Sequence, residues 1–230
     1  MYKILDAHCH IYPSKIARKA ADATGRFYDT VSLMDGTVDT LAKEGKKAGI
    51  SHFIVQSVAT SPKQVSSINR FISETVANSG GTMTGFGTLH PDSEDIEGDF
   101  EHLKALGLIG VKLHPDIQGF KIDDYRMLKI YELCERDNLP ILMHTGDSRF
   151  DLSNPNRLAP VLDIYKNLVV IGAHFGGYTV WDEASRKLHG YENFYVDTSS
   201  SLFALSPETA KKIISAYGVE KVMFGTDYPM

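Results

Sequence analysis

Only two cysteines, Cys9 and Cys134, occur in 230 residues, far apart and in no CxxC. That excludes a disulfide scaffold and a thiolate zinc cluster, and it suits a reducing, cytoplasmic setting. No apolar run approaches the ~20 residues that cross a bilayer, and the start MYKILDAHCH lacks the apolar core of a signal peptide, so no membrane partner is expected. Positive charge is scarce as well: 24 Lys and Arg stand against 29 Asp and Glu, a formal net charge of -5. A groove that reads nucleic acid through its phosphates needs the opposite balance. No GxGxxG follows the first apolar segment, which leaves a dinucleotide fold without support. Linker-like and low-complexity stretches are missing too, so residues 1–230 are expected to form one domain.

What is present is 43% hydrophobic residues and nine histidines. Short Val- and Ile-rich segments alternate with amphipathic ones. Strands are expected near Ile4, His52, Met83, Ile109, Ile141, Val169, Phe194 and Val222, and helices over 38–48, 62–77, 95–106, 123–136 and 207–217. Leu128, Tyr131 and Leu133 are spaced for one buried helix face. Eight nearly continuous apolar strands, with helix-like segments between most of them, point to an α/β fold, a closed (β/α)8 TIM barrel.

Two irregularities stand out. The connection from Ile11 to Met34 is long, with room for a short helix over 14–23, and in a barrel it lies on the face where active sites form, as a lid would. The chain also stops at Met230, directly after the eighth strand, so this chain is expected to lack the eighth helix. Outward-facing Val222 or Phe224 would lose cover there. The favoured expectation is a natural protein that continues; self-association through that flank, as a homo-oligomer, is another outcome.

Polar residues gather at the strand C-termini. His8 and His10 sit at i and i+2 and face one side of the first strand, with Cys9 on the other. Later strands end in Lys112 and His114, His144, His174, Asp197 and Asp227, and a barrel brings all of these to one face. A single strand-end histidine is an ordinary packed residue; several beside a carboxylate form a donor set for a divalent metal, most simply Zn2+. Such a metal lowers the pKa of a bound water toward ~7.

The DAHCH start, HTG after strand five, HFGG after strand six and GTDYP after strand eight resemble the amidohydrolase superfamily, and more narrowly its amidohydrolase-related group, which includes metal-dependent decarboxylases. The resemblance implies one metal held by His8, His10, His144 and Asp227, with Asp227 also taking the water's proton and His174 acting as acid or base. It implies a hydrolase of a small amide, lactone or ester, or alternatively a non-oxidative decarboxylase of a small carboxylic acid. Lys112 is where binuclear relatives carry a bridging carbamate; its simpler reading is an ion pair with Asp6. Lys112, His114 and Arg149 are candidate substrate contacts, Arg149 and Arg26 through a bidentate grip on a carboxylate. Tyr12, Phe27, Tyr28 and Trp181 are candidate pocket walls, and Asp197 to Ser199 candidate binders of substrate oxygens. TatD-type deoxyribonucleases share the HxH opening but carry a Glu at strand four, where this chain has Lys112 and His114. PHP-type phosphoesterases need further ligands that cannot be placed here. A non-catalytic binding protein is the contrasting class.

Overall fold

A computed structural model describes residues 3–230. Among the described residues, nine short strands run parallel in two sheets. The first holds β1 (Ile4–His10), β2 (Ile50–Gln56) and β3 (Met83–Gly85); the second holds β4 (Gly87–Thr88), β5 (Val111–Leu113), β6 (Ile141–Met143), β7 (Val170–Gly172), β8 (Phe194–Asp197) and β9 (Val222–Met223), in that order. β3 and β4 are one barrel strand interrupted at Phe86. The ring of Phe86 packs against Gly110 so closely that a Cβ there would lie 2.6 Å away. The two sheets join through Phe86 N to Val55 O and Ile109 N to Gly85 O. They close on the other side through Ala7 N to Phe224 O, Asp227 N to His8 O and a Cys9–Tyr228 bridge. The expected eight-stranded barrel is therefore closed.

Strand alternation divides the core in two. Outward residues such as Phe53, Val111, Ile141, Met143, Val170 and Val196 pack under the helices. Inward residues Phe86, Leu142 and Ile171 plug the barrel, with Ile54, Tyr195 and Met223 packed on them. That plug is the floor on which the polar strand ends stand.

The helices are α1 (Ala17–Phe27), α2 (Val38–Lys47), α3 (Val65–Ala77), α4 (Ile96–Ala105), α5 (Pro115–Gln118), α6 (Leu128–Arg136), α7 (Pro155–Ile164), α8 (Trp181–Leu188) and α9 (Pro207–Tyr217). Side-chain caps start several of them: Thr37 accepts from Thr40 N, Asp95 from Gly98 N and Ser206 from Thr209 N. α7 and α8 were not expected. Pro160 lies inside α7 and reads as a breaker, although its neighbours Leu158, Ala159, Val161 and Leu162 are all buried. In α6 the buried face is Ile130, Tyr131, Leu133 and Cys134, while Leu128 is exposed, because a 3-10 turn at Tyr125–Met127 resets the register. α1 starts and ends later than the expected 14–23, which carries Phe27 and Tyr28 over the barrel mouth.

Among the described residues no helix follows β9, and none is long and apolar enough to cross a membrane. Ile4, Leu5 and Phe224 are exposed on that flank, whereas Val222 is half-buried against the core.

Candidate functional site

Each site residue is the first inward position beyond the plug, or the residue just past it. His8 and His10 point inward from β1, while Cys9 is fully buried on the outer side. Lys112 is the inward residue of β5, and His114 and His144 continue the inward rows of β5 and β6. His174 and Asp227 leave their strands in left-handed backbone, with φ of 59° and 63°. For side chains other than glycine that conformation costs about 1–3 kcal/mol each, and it is held by the surrounding contacts. His174 N and Ser199 N both donate to Asp197 Oδ1, and Ser200 Oγ donates to Asp227 Oδ2 at 2.5 Å. The HTG and HFGG loops touch along bare backbone: a Cβ on Gly146 would lie 2.6 Å from Gly177, and Tyr178 N donates to Thr145 O.

His8, His10 and Asp227 offer three ligand atoms, all within 4.8 Å of one another. His8 Nε2 lies 3.1 Å from His10 Nε2 and 3.3 Å from Asp227 Oδ1. His8 Nδ1 is 2.8 Å from Asp197 Oδ2, so its proton is donated to that carboxylate and the Nε2 lone pair faces the cavity. Burial alone would push the Asp197 carboxyl up, but His8, His174 and Ser199 outweigh it and hold it well below the usual carboxylate range. Burial holds the His10 imidazole neutral, its pKa lowered further by His8 and Lys112. Two imidazole nitrogens facing one carboxylate at these distances fit a divalent cation: neutral nitrogen lone pairs and a single oxygen donor suit Zn2+ or a similar transition metal.

A second group lies beside the first. His114, Asp116 and His144 also offer three ligand atoms within 4.8 Å. The rings of His114 and His144 stack at 4.0 Å with 5° between planes. Ile117 N donates to His114 Nδ1, so the neutral ring carries its proton on Nε2 and donates it to Tyr28 Oη at 2.6 Å. His144 Nδ1 lies 3.1 Å from His174 Nε2, and its Nε2 lies 3.7 Å from Asp116 Oδ2. Both Asp116 oxygens are buried without a hydrogen-bond partner, and burial pushes that carboxyl up to about 6. His174 donates its Nδ1 proton to Ser199 O at 3.0 Å, which leaves Nε2 as its acceptor, facing His144 Nδ1. Burial lowers the pKa of His114, His144 and His174 alike.

The structure therefore gathers His8, His10 and Asp227 in one group, while His144, expected as their fourth ligand, falls in the second group with His114 and Asp116, against His174. Other expectations need correction. Lys112 does not pair with Asp6. Its ammonium is buried and donates to His8 Nε2 at 3.2 Å, while Asp6 accepts from His8 N, Thr226 N and Thr226 Oγ1. Burial pulls Lys112 down to about 8, against Asp197 and Asp227. Arg149 lines neither site cavity: its guanidinium is bidentate on Asp147, donates to Phe27 O at 2.7 Å and lies over the Phe27, Tyr28 and Phe150 rings. Arg26 is exposed outside both cavities. Asp197 serves His8 rather than substrate oxygens. Trp181 donates to Ser201 Oγ and forms no wall, whereas Tyr12, Phe27 and Tyr28 do. Sequence reading did not single out Asp116, two residues beyond His114 on a short helical turn inside the segment GVKLHPDIQGF, which resembles family members as a run without pointing to that residue.

Two cavities meet at this site. One, of about 510 Å3, has the histidines, Lys112 and Asp227 as its floor and runs out between α1 and α3. The other, of about 660 Å3, opens toward Leu33, Leu202, Phe203 and Phe224. Tyr28, His174, Asp227 and Met230 border both.

The profile of the Amidohydrolase family matches residues 5–230. Many solved structures share the fold, three of them as follows. An uncharacterised TIM-barrel protein from Bordetella bronchiseptica aligns with a TM-score of 0.81 at 20% identity, over 99% of this chain and 86% of that one. A 5-carboxyvanillate decarboxylase from Sphingomonas paucimobilis aligns at 0.71 and 16% identity, over 100% and 89%. A 2,6-dihydroxybenzoate decarboxylase complexed with 2,6-dihydroxybenzoate aligns at 0.67 and 20% identity, over 99% and 87%.

Proposed function

The chain belongs to the Amidohydrolase family, and from that premise we propose that it is a non-oxidative, metal-dependent decarboxylase of a small carboxylic acid. The observation that carries this reading is Lys112. It is a buried ammonium, and among the described residues no carboxylate oxygen lies within 4.0 Å of it. An unpaired buried cation is costly, and a substrate carboxylate entering the floor would offset that cost. Decarboxylation is placed ahead of hydrolysis of an amide, lactone or ester for this reason. Two solved structures of the same fold are decarboxylases of aromatic acids, which supports the order.

His8, His10 and Asp227, with His144 beside them, would hold one divalent ion, Zn2+ or a similar metal. When bound, it supplies Lewis-acid charge for the oxygens of the acid. The protein's own groups do the rest. Lys112 neutralises the carboxylate and fixes it on the floor. His114 and Tyr28 Oη border the substrate. Loss of CO2 leaves an electron pair on carbon, and that carbon takes one proton; His174, fixed through Nδ1, takes that proton from solvent at Nε2 and passes it to the carbon. Phe27 and Tyr28 cover the mouth and keep water from the carbanionic carbon.

The test is a panel of aromatic and unsaturated acids, lactones, esters and amides on metal-loaded protein in D2O. CO2 release with one deuterium placed at the vacated carbon is expected. Turnover of a lactone, ester or amide without any CO2 would reverse the order of the two readings.

A further inference from the structure

The larger part of the site cavity is not polar. Lys112, Asp227 and the histidines form its floor, and the walls above carry no charged side chain. One wall is a single face of α1 and its N-cap: Ile16, Ala20, Ala23 and Phe27 recur at spacings of four, three and four. The opposite wall is Ile68 and Phe71 of α3, with the uncharged polar side chains of Ser67, Gln64 and Thr60 beside them. Ile16 to Phe27 spans about 16 Å at the helical rise. The two alanines in the middle of that face leave width where a larger side chain would close the groove.

From this groove we infer the substrate class: a monoanionic carboxylic acid whose single acid group seats on the floor and whose body is an extended apolar or aryl group lying between α1 and α3. This rests on the acid-substrate reading above and adds to it. A second carboxylate on the body would lie between Ala20 and Ile68 with no cation beside it, so its charge is desolvated without a counter-charge. An alkyl or aryl extension instead removes apolar surface from water along the whole wall. The groove continues without a break into the floor, so the body and the acid group are read by one ligand.

The experiment measures binding, not turnover, by calorimetry on metal-loaded protein with three probes: benzoate, 4-propylbenzoate and terephthalate. The propyl compound should bind about tenfold more tightly than benzoate. Terephthalate, close in length but carrying a second charge, should bind more weakly than benzoate. In Ala20→Phe the ratio of propylbenzoate to benzoate affinity should fall to near one, with metal content as the check on folding. Equal affinities for benzoate and 4-propylbenzoate, or tightest binding of terephthalate, overturn the inference on wild-type protein alone. An unchanged ratio in a folded, metal-loaded Ala20→Phe overturns the groove as the seat of the body. If the binding order holds but no acid releases CO2, the substrate class stands and the decarboxylase reading fails; the reverse pattern separates them the other way.

Discussion

At the residue scale, the site depends on carboxylates that touch no substrate. Asp197 fixes the His8 ring through Nδ1 and ties the His174 and Ser199 backbones to the same oxygen. Asp197→Asn presents an amide that cannot take that proton as an anion, so metal affinity should fall about 10–100-fold in a chelator competition while the fold persists. The imidazoles give a second outcome. Burial lowers the pKa of His10, His114, His144 and His174 in the folded protein. The unfolded chain, with histidines near ~6.5, therefore binds more protons as pH drops below that value. Urea unfolding of the metal-free protein should show stability intact above about pH 7 and declining as pH falls from ~6.5 toward 5. A stability that rises over that interval would contradict neutral, buried rings.

At the element scale, α1 is the segment that turns an ordinary barrel mouth into an enclosed site. It is held by contacts made late in the chain: Arg149, from the loop after β6, donates to the carbonyl that ends α1 and stacks on Phe27. Arg149→Ala removes that tether without touching the floor. The expected result is faster amide exchange and proteolysis around 24–30, and a KM raised several-fold with metal content unchanged. Equal exchange in both proteins would mean that α1 is held by its apolar face alone. Sequence reading placed a helix here but gave Arg149 a substrate, because a loop arginine near a histidine motif looks the same whether it grips a ligand or a backbone carbonyl.

At the scale of the whole molecule, the barrel seam and the site are one structure. Asp6, fully buried on the first strand, accepts from Thr226 N and Thr226 Oγ1 at the last. Asp227 follows directly. Asp6→Ala leaves those donors and His8 N unmatched in the interior, which should cost about 2–4 kcal/mol in urea unfolding. Because Asp227 rides on the same seam, metal affinity should weaken too, in contrast to a remote core variant of equal cost.

The sequence by itself determined the strand–helix rhythm, the single closed barrel and the inward pairing of His8 with His10. Those follow from local periodicity: alternation along a strand decides which side a residue faces whatever lies beside it. It also carried the family motifs, since they are contiguous runs. Only the tertiary structure decided the partners. Lys112 faces His8 and not Asp6, Asp197 serves His8, and Asp116 stands against His144, because those pairs join strands and loops far apart in the chain whose rotation about the barrel no local pattern specifies. The apolar groove belongs to the same class: Ala20 and Ile68 are unremarked residues on two separate helices until the barrel sets their faces opposite each other.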